Sequence, residues 1–128
     1  MKSILIVDDS SVSRQEIYAS FKKAGFSVSN TSNGKDALDI ANEKQYDLVI
    51  TDLNMPIMDG LTLVRNLRIL PSYKNTPILV LSAENQTKFK VEGRAAGASG
   101  WIVKPFIPNF HIQAICKFLD YRKKTVKS

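Results

Sequence analysis

Five polar positions in this chain could do chemistry together. Asp8 and Asp9 close the apolar run SILIVD of residues 3–8, Asp52 closes DLVITD, Ser82 closes ILVLS and Lys104 closes WIVK. Each alone has an ordinary explanation, since an aspartate after a strand is commonly a helix cap and a lysine at a strand end is commonly solvated. Together they ask for more. Carboxylates that are gathered repel one another and need a cation. Hard oxygen ligands from few protein groups suit Mg²⁺, which keeps several waters and is completed by phosphate oxygens. A carboxylate can attack phosphorus to give an aspartyl-phosphate. Mg²⁺ and a lysine ammonium stabilise charge on the transferring group, and a hydroxyl across the site donates to the new phosphate oxygens. Asp52, Lys104 and Ser82 fit the roles of nucleophile, ammonium and hydroxyl.

Such a site forms only if the elements bring those strand ends to one edge. Apolar runs predict strands at 3–8, 26–31, 47–52, 78–82 and 101–104. The run at 26–31 alternates, as a strand near a sheet edge does. Helical spacing predicts helices over about 12–24, 34–44, 60–69, 84–96 and 109–123. Val12, Ile17, Phe21 and Ala24 are the inward residues expected of the first helix, and Ala37, Leu38, Ile40 and Ala41 those of the second. Phe89 and Val91 are the few large apolar residues of the fourth. Phe110, Ile112, Ile115, Phe118 and Leu119 are the expected core face of the last. Ser10 or Ser11 and Asn33 are N-cap candidates. LPSYKNTP at 70–77 reads as a loop. Gly93 inside the fourth helix costs about 1 kcal/mol against alanine; it either eases movement of that helix or allows close packing.

Strand and helix thus alternate five times. Strands joined by helical crossovers run parallel, with right-handed connections and helices on both faces, which gives an α/β, doubly wound five-stranded parallel sheet. Ligand sites of such sheets lie at the C-terminal strand ends, where Asp8, Asp9, Asp52, Ser82 and Lys104 stand.

Bulk properties fit one domain over residues 1–128, with a core of about 3–122 and a basic tail at 123–128. The chain has 44% hydrophobic and 23% charged residues. No apolar run approaches the ~18 residues of a membrane span, and the N-terminus does not read as a signal peptide; a cytoplasmic protein is expected. Cys116 is the only cysteine and His111 the only histidine. An internal disulfide is thereby excluded, and a zinc or cysteine–histidine site is short of residues; Cys116 is expected to be a buried, inert thiol. The net charge of +6 gathers at Lys117, Arg122, Lys123, Lys124 and Lys127. Cations are favoured at helix C-termini, and no helix-turn-helix or aromatic–basic pattern accompanies them, so nucleic-acid binding is not expected.

The acidic pair Asp8-Asp9, DLNMPIMDG around Asp52, SAE at 82–84 and AGASGWIVKPF at 96–106 together resemble the receiver domain of two-component response regulators in its single-domain, CheY-like form. The resemblance runs from ILIVDDS to about Leu119. It implies a flavodoxin-like fold with strand order 2-1-3-4-5. It implies that Asp52 is the phosphoacceptor for a sensor histidine kinase, phosphotransfer protein or small phosphodonor. Asp9, Asp52 and the backbone carbonyl of Asn54 are the implied Mg²⁺ ligands, with Asp8 acting through water. Lys104 is the implied phosphate-binding lysine, with a cis Lys104-Pro105 bond. Ser82 is the implied switch hydroxyl, and Trp101 stands at the aromatic switch position, where Tyr or Phe is commoner. Asn54 and Glu84 fall where autodephosphorylation is tuned. On phosphorylation Ser82 is drawn inward, Trp101 turns toward the core, and the face of the fourth helix, fifth strand and last helix changes partner affinity. The output is then a protein contact, with a flagellar motor switch or another target, by a monomer or a phosphorylation-dependent dimer. Self-catalysed phosphoryl chemistry, not metabolic turnover, is implied. Two rivals share fold or chemistry. A flavodoxin-like cofactor binder wants a donor-rich loop where Asp8 and Asp9 stand. A Mg²⁺-dependent aspartyl phosphatase wants a D-x-D pair where these two are adjacent.

Overall fold

The computed structural model describes residues 2–83 and 87–125, with side chains up to residue 120. In chain order the elements are β1 Ser3–Val7, α1 Ser11–Lys23, β2 Ser27–Thr31, α2 Gly34–Glu43, β3 Leu48–Asp52, α3 Gly60–Ile69, β4 Ile78–Ser82, α4 Thr87–Ala96, β5 Gly100–Val103 and α5 Pro108–Thr125. The five strands form one parallel sheet in the order β2-β1-β3-β4-β5. Glu84 and residues 126–128 of the basic tail lie outside the described residues, as do the side chains of Arg122, Lys123 and Lys124.

Alternation along the strands builds two cores. Leu5, Val7, Val49, Ile78 and Val80 point to one face, where Ala37 and Ala41 of α2, Leu63, Val64 and Leu67 of α3 and Ala96 of α4 cover them. Ile4, Ile6, Leu48, Ile50, Leu79 and Leu81 point to the other, beneath Ile17 and Phe21 of α1 and Ile115 and Leu119 of α5. β1, β3 and β4 are buried at every residue. This is why they read as unbroken apolar runs, and each large aliphatic side chain so buried contributes roughly 1.5–3 kcal/mol.

Helix starts follow their caps. Ser10 Oγ accepts from Ser13 N–H, Asn33 Oδ1 from Asp36 N–H and Asp59 Oδ1 from Thr62 N–H. Three expected core residues are not in the core, and one of them, Ala24, is exposed because α1 ends at Lys23 and Ala24 is its C-cap. Val12 is 67% exposed and Phe110 66%, because each lies in a first helical turn that overhangs the sheet edge. Val91 of α4 also faces solvent, and the Cys116 thiol is only partly buried. The 70–77 segment is more ordered than a loop. It holds a short 3-10 turn, Pro71–Tyr73, whose Tyr73 ring is fully buried. The Tyr73 hydroxyl donates to Lys44 O and accepts from Tyr46 N–H, which closes the floor beneath β3. Beside it, the Arg68 guanidinium at the end of α3 donates to Gly97 O, Tyr73 O, Thr76 O and Ser99 Oγ. One side chain thus ties α3 to the 3-10 turn, the start of β4 and the α4–β5 corner.

Candidate functional site

Asp52 is the last residue of β3 and is buried although ionisable. Its Oδ1 accepts from Leu53 N–H at 3.0 Å and lies 3.3 Å from Lys104 Nζ. Burial is the main force on this group and pushes its carboxyl from the usual 3.8 up to about 6; Asp8 adds to the rise, while Lys104 and Leu53 N–H oppose it. Asp8 follows β1 and is 1% exposed. One of its oxygens accepts from Ser10 N–H at 2.9 Å, and the other, Oδ2, is buried without a partner. Asp9 beside it is exposed. Asp8, Asp9 and Asp52 can each offer an oxygen within 4.8 Å of the others, and this is the group of metal-ligating side chains found among the described residues.

That arrangement fits a hard divalent cation. A buried carboxylate oxygen with no donor is costly, and burial makes the ionised Asp52 costly as well. A cation such as Mg²⁺ answers both, and oxygen-only donors are its usual set. The one histidine and one cysteine take no part. His111 Nδ1 accepts from Ile107 N–H at 2.8 Å and its ring stacks on Phe106.

The loop after β3 is shaped by glycines whose role the sequence only half disclosed. A Cβ at Gly60 would lie 2.1 Å from the Asp52 carbonyl oxygen, and Gly60 N–H donates to Leu53 O. Only glycine lets α3 begin so close behind the acidic strand end. Gly34, read merely as the residue after an N-cap, brings α2 against the same loop: a Cβ there would lie 2.7 Å from Met58 O. Between these contacts Ile57 takes φ +72°, an uncommon conformation for a β-branched residue, and Met58 N–H closes back on Pro56 O at 2.7 Å. Asn54, on this loop, is exposed.

Ser82 ends β4, is 2% exposed and pairs in register with Val103, while Lys104 N–H donates to Ser82 O at 2.8 Å. This backbone bond sets Lys104 beside the carboxylates, and the Lys104-Pro105 peptide is cis. Asp8, Asp9, Asp52, Ser82 and Lys104 therefore meet at one end of the sheet, as the strand ends predicted. Trp101 lies further back on β5, half-buried, opposite Val80. Its ring is already packed inward against the α2–α3–α4 core. Among the described residues, no helix is long and apolar enough to cross a membrane.

The family model described as the response regulator receiver domain matches residues 4–116. A chemotaxis response regulator of Vibrio cholerae is 39% identical, with 91% of this chain and 98% of that one covered, at a TM-score of 0.88. A response regulator protein from Burkholderia multivorans is 41% identical over 92% of this chain and 94% of its own, at a TM-score of 0.78. The cell cycle transcriptional regulator CtrA of Caulobacter vibrioides is 37% identical over 103 residues, which are 80% of this chain and 44% of that protein. The chain thus spans less than half the length of this curated relative.

Proposed function

Because the chain belongs to the response regulator receiver domain family, we propose that it is a two-component switch written at Asp52. The observation that carries this reading is a buried carboxylate at a strand end, 3.3 Å from Lys104 Nζ and clustered with Asp8 and Asp9. An Asp52 oxygen attacks the phosphorus of a phosphohistidine on a sensor kinase or phosphotransfer protein. The P–N bond breaks, its electron pair stays on the imidazole, and an aspartyl-phosphate is formed. The Lys104 ammonium, already aimed at Asp52, then faces the phosphoryl oxygens, and the Ser82 hydroxyl donates to one of them. Asp9, Asp52 and the Asn54 carbonyl would hold Mg²⁺, with Asp8 acting through water. When bound, the ion supplies positive charge that offsets the carboxylates and the phosphoryl oxygens. Asn54 and Glu84 fall at the sequence positions where this family tunes hydrolysis of the acyl phosphate. The chain's chemistry is this self-directed phosphotransfer and loss, not substrate turnover.

The readout is the face of α4, β5 and α5. Trp101 is half-buried before any phosphate arrives, so the change at this face is a joint shift of ring and α4 rather than a full inward turn of the ring. Likeness to the Vibrio cholerae chemotaxis regulator supports a chemotaxis-type target such as a flagellar motor switch, reached in the cytoplasm by a monomer or a phosphorylation-dependent dimer. Likeness to longer transcriptional regulators supports another output of the same switch. Acetyl phosphate with Mg²⁺ tests the site: wild type incorporates one acid-stable, base-labile phosphate and Asp52→Asn none. Labelling that persists in Asp52→Asn would move the acceptor elsewhere.

A further inference from the structure

Gly93 lies in the middle of α4, where glycine is a poor helix former. It is buried, and the space that a side chain would take is already filled. A Cβ at Gly93 would lie 2.8 Å from Trp101 Cζ3 and 3.1 Å from Cε3, with Leu61 Cδ2 of α3 at 3.8 Å. The indole edge is thus lodged in a notch whose floor is the α4 backbone and whose wall is Leu61. β5 is an edge strand, so one side of the ring's face is not covered by a further strand.

We propose that Gly93 is the seat of Trp101 and the positioning residue that couples this ring to α4. A side chain at 93 and the inward ring exclude each other, so ring position and helix position are set together. The consequence for signalling rests on the proposed phospho-switch; the seat itself rests on packing alone. If phosphorylation favours the inward ring, evicting the ring must weaken the phosphoryl site's affinity by the same factor.

Two measurements on the full chain decide it. The first is the unfolding midpoint of wild type, Gly93→Ala, Trp101→Leu and the double variant. Alanine at 93 is expected to lower the midpoint when Trp101 is present and to raise it when Trp101 is replaced. Trp101 emission in Gly93→Ala is expected to shift to the red, with stronger acrylamide quenching. A midpoint that moves the same way in both backgrounds, or unchanged emission, overturns the seat. The second is the half-saturating concentration of beryllofluoride with Mg²⁺, read from α4 amide shifts. Gly93→Ala is expected to raise it and Gly93→Ala with Trp101→Phe to lower it again. A sign reversal in stability with unchanged half-saturation overturns the coupling. A wild type that takes no beryllofluoride at all strikes the phospho-switch itself, and the midpoints alone then decide the seat.

Discussion

Replacing Asp52 with asparagine should stabilise the metal-free protein, and the gain should depend on pH. Burial lifts this carboxyl from 3.8 to about 6 in the fold. The folded state therefore holds its proton more tightly than the unfolded chain does. The stability that protonation lends is fully present below pH 3.8 and is lost as pH rises through about 6. At pH 7.5 the ionised group costs about 3 kcal/mol, at about 1.4 kcal/mol per pKa unit. At pH 4.5 the same two values leave a cost of about 1 kcal/mol. Asparagine never ionises, and its carbonyl can still accept from Leu53 N–H. In EDTA, urea unfolding followed by circular dichroism should place Asp52→Asn about 3 kcal/mol above wild type at pH 7.5 and about 1 kcal/mol above at pH 4.5. Mg²⁺ at ten times its dissociation constant should return about 1.4 kcal/mol to wild type and little to the variant. A gain that is equal at both pH values, or a loss at pH 7.5, would refute the view that burial of this charge is a cost which the site carries for function.

Three further outcomes follow from single contacts. Lys104→Met removes the ammonium 3.3 Å from Asp52 and should slow phosphate incorporation from acetyl phosphate by roughly 10²–10³-fold, read as initial rates. Gly60→Ala sets a methyl 2.1 Å from the Asp52 carbonyl and should destabilise the fold by roughly 2–3 kcal/mol in urea unfolding, since the backbone itself must move. Tyr73→Phe leaves Lys44 O and Tyr46 N–H without their buried partner and should cost about 1–3 kcal/mol, with phosphate incorporation unchanged.

Most of the architecture was legible because burial on both faces leaves a plain mark. β1, β3 and β4 are buried throughout and mostly apolar, and Asp52 and Ser82 at two of their ends, with Asp8 just past the third, mark the site. The caps at Ser10 and Asn33 were legible because a side-chain oxygen before a helix has a local task, whereas the cap at Asp59 lay within a run of turn formers and was not singled out. What stayed hidden is what depends on distant neighbours. Tyr73 sat in a proline-bracketed stretch with no periodicity to show that its ring fills the floor. Val12 and Phe110 followed the helical period correctly, yet their turns extend past the sheet, and a period does not say where the sheet ends. Gly34 and Gly93 are explained by Met58 and Trp101, which reach them through space. Asp8, Asp52 and Lys104 were legible as strand ends; the orphaned Asp8 oxygen was not, because a missing partner leaves no trace in sequence.

The Arg68 guanidinium has a mechanical consequence. It grips the Gly97 carbonyl just past α4, together with Tyr73, Thr76 and Ser99, at the end of the sheet away from the carboxylates. A helix held at one end is a lever and this arginine is its pivot. α4 has 10 residues, about 15 Å of length, so a tilt of roughly 10° would carry its start by about 2.5 Å while its end stayed still. The travel is greatest at Thr87, on the side where Ser82 ends its strand. A pull applied near Ser82 would thereby move the start of α4 most and leave its end almost still, and weakening the Arg68 grip would let the helix slide instead of swing.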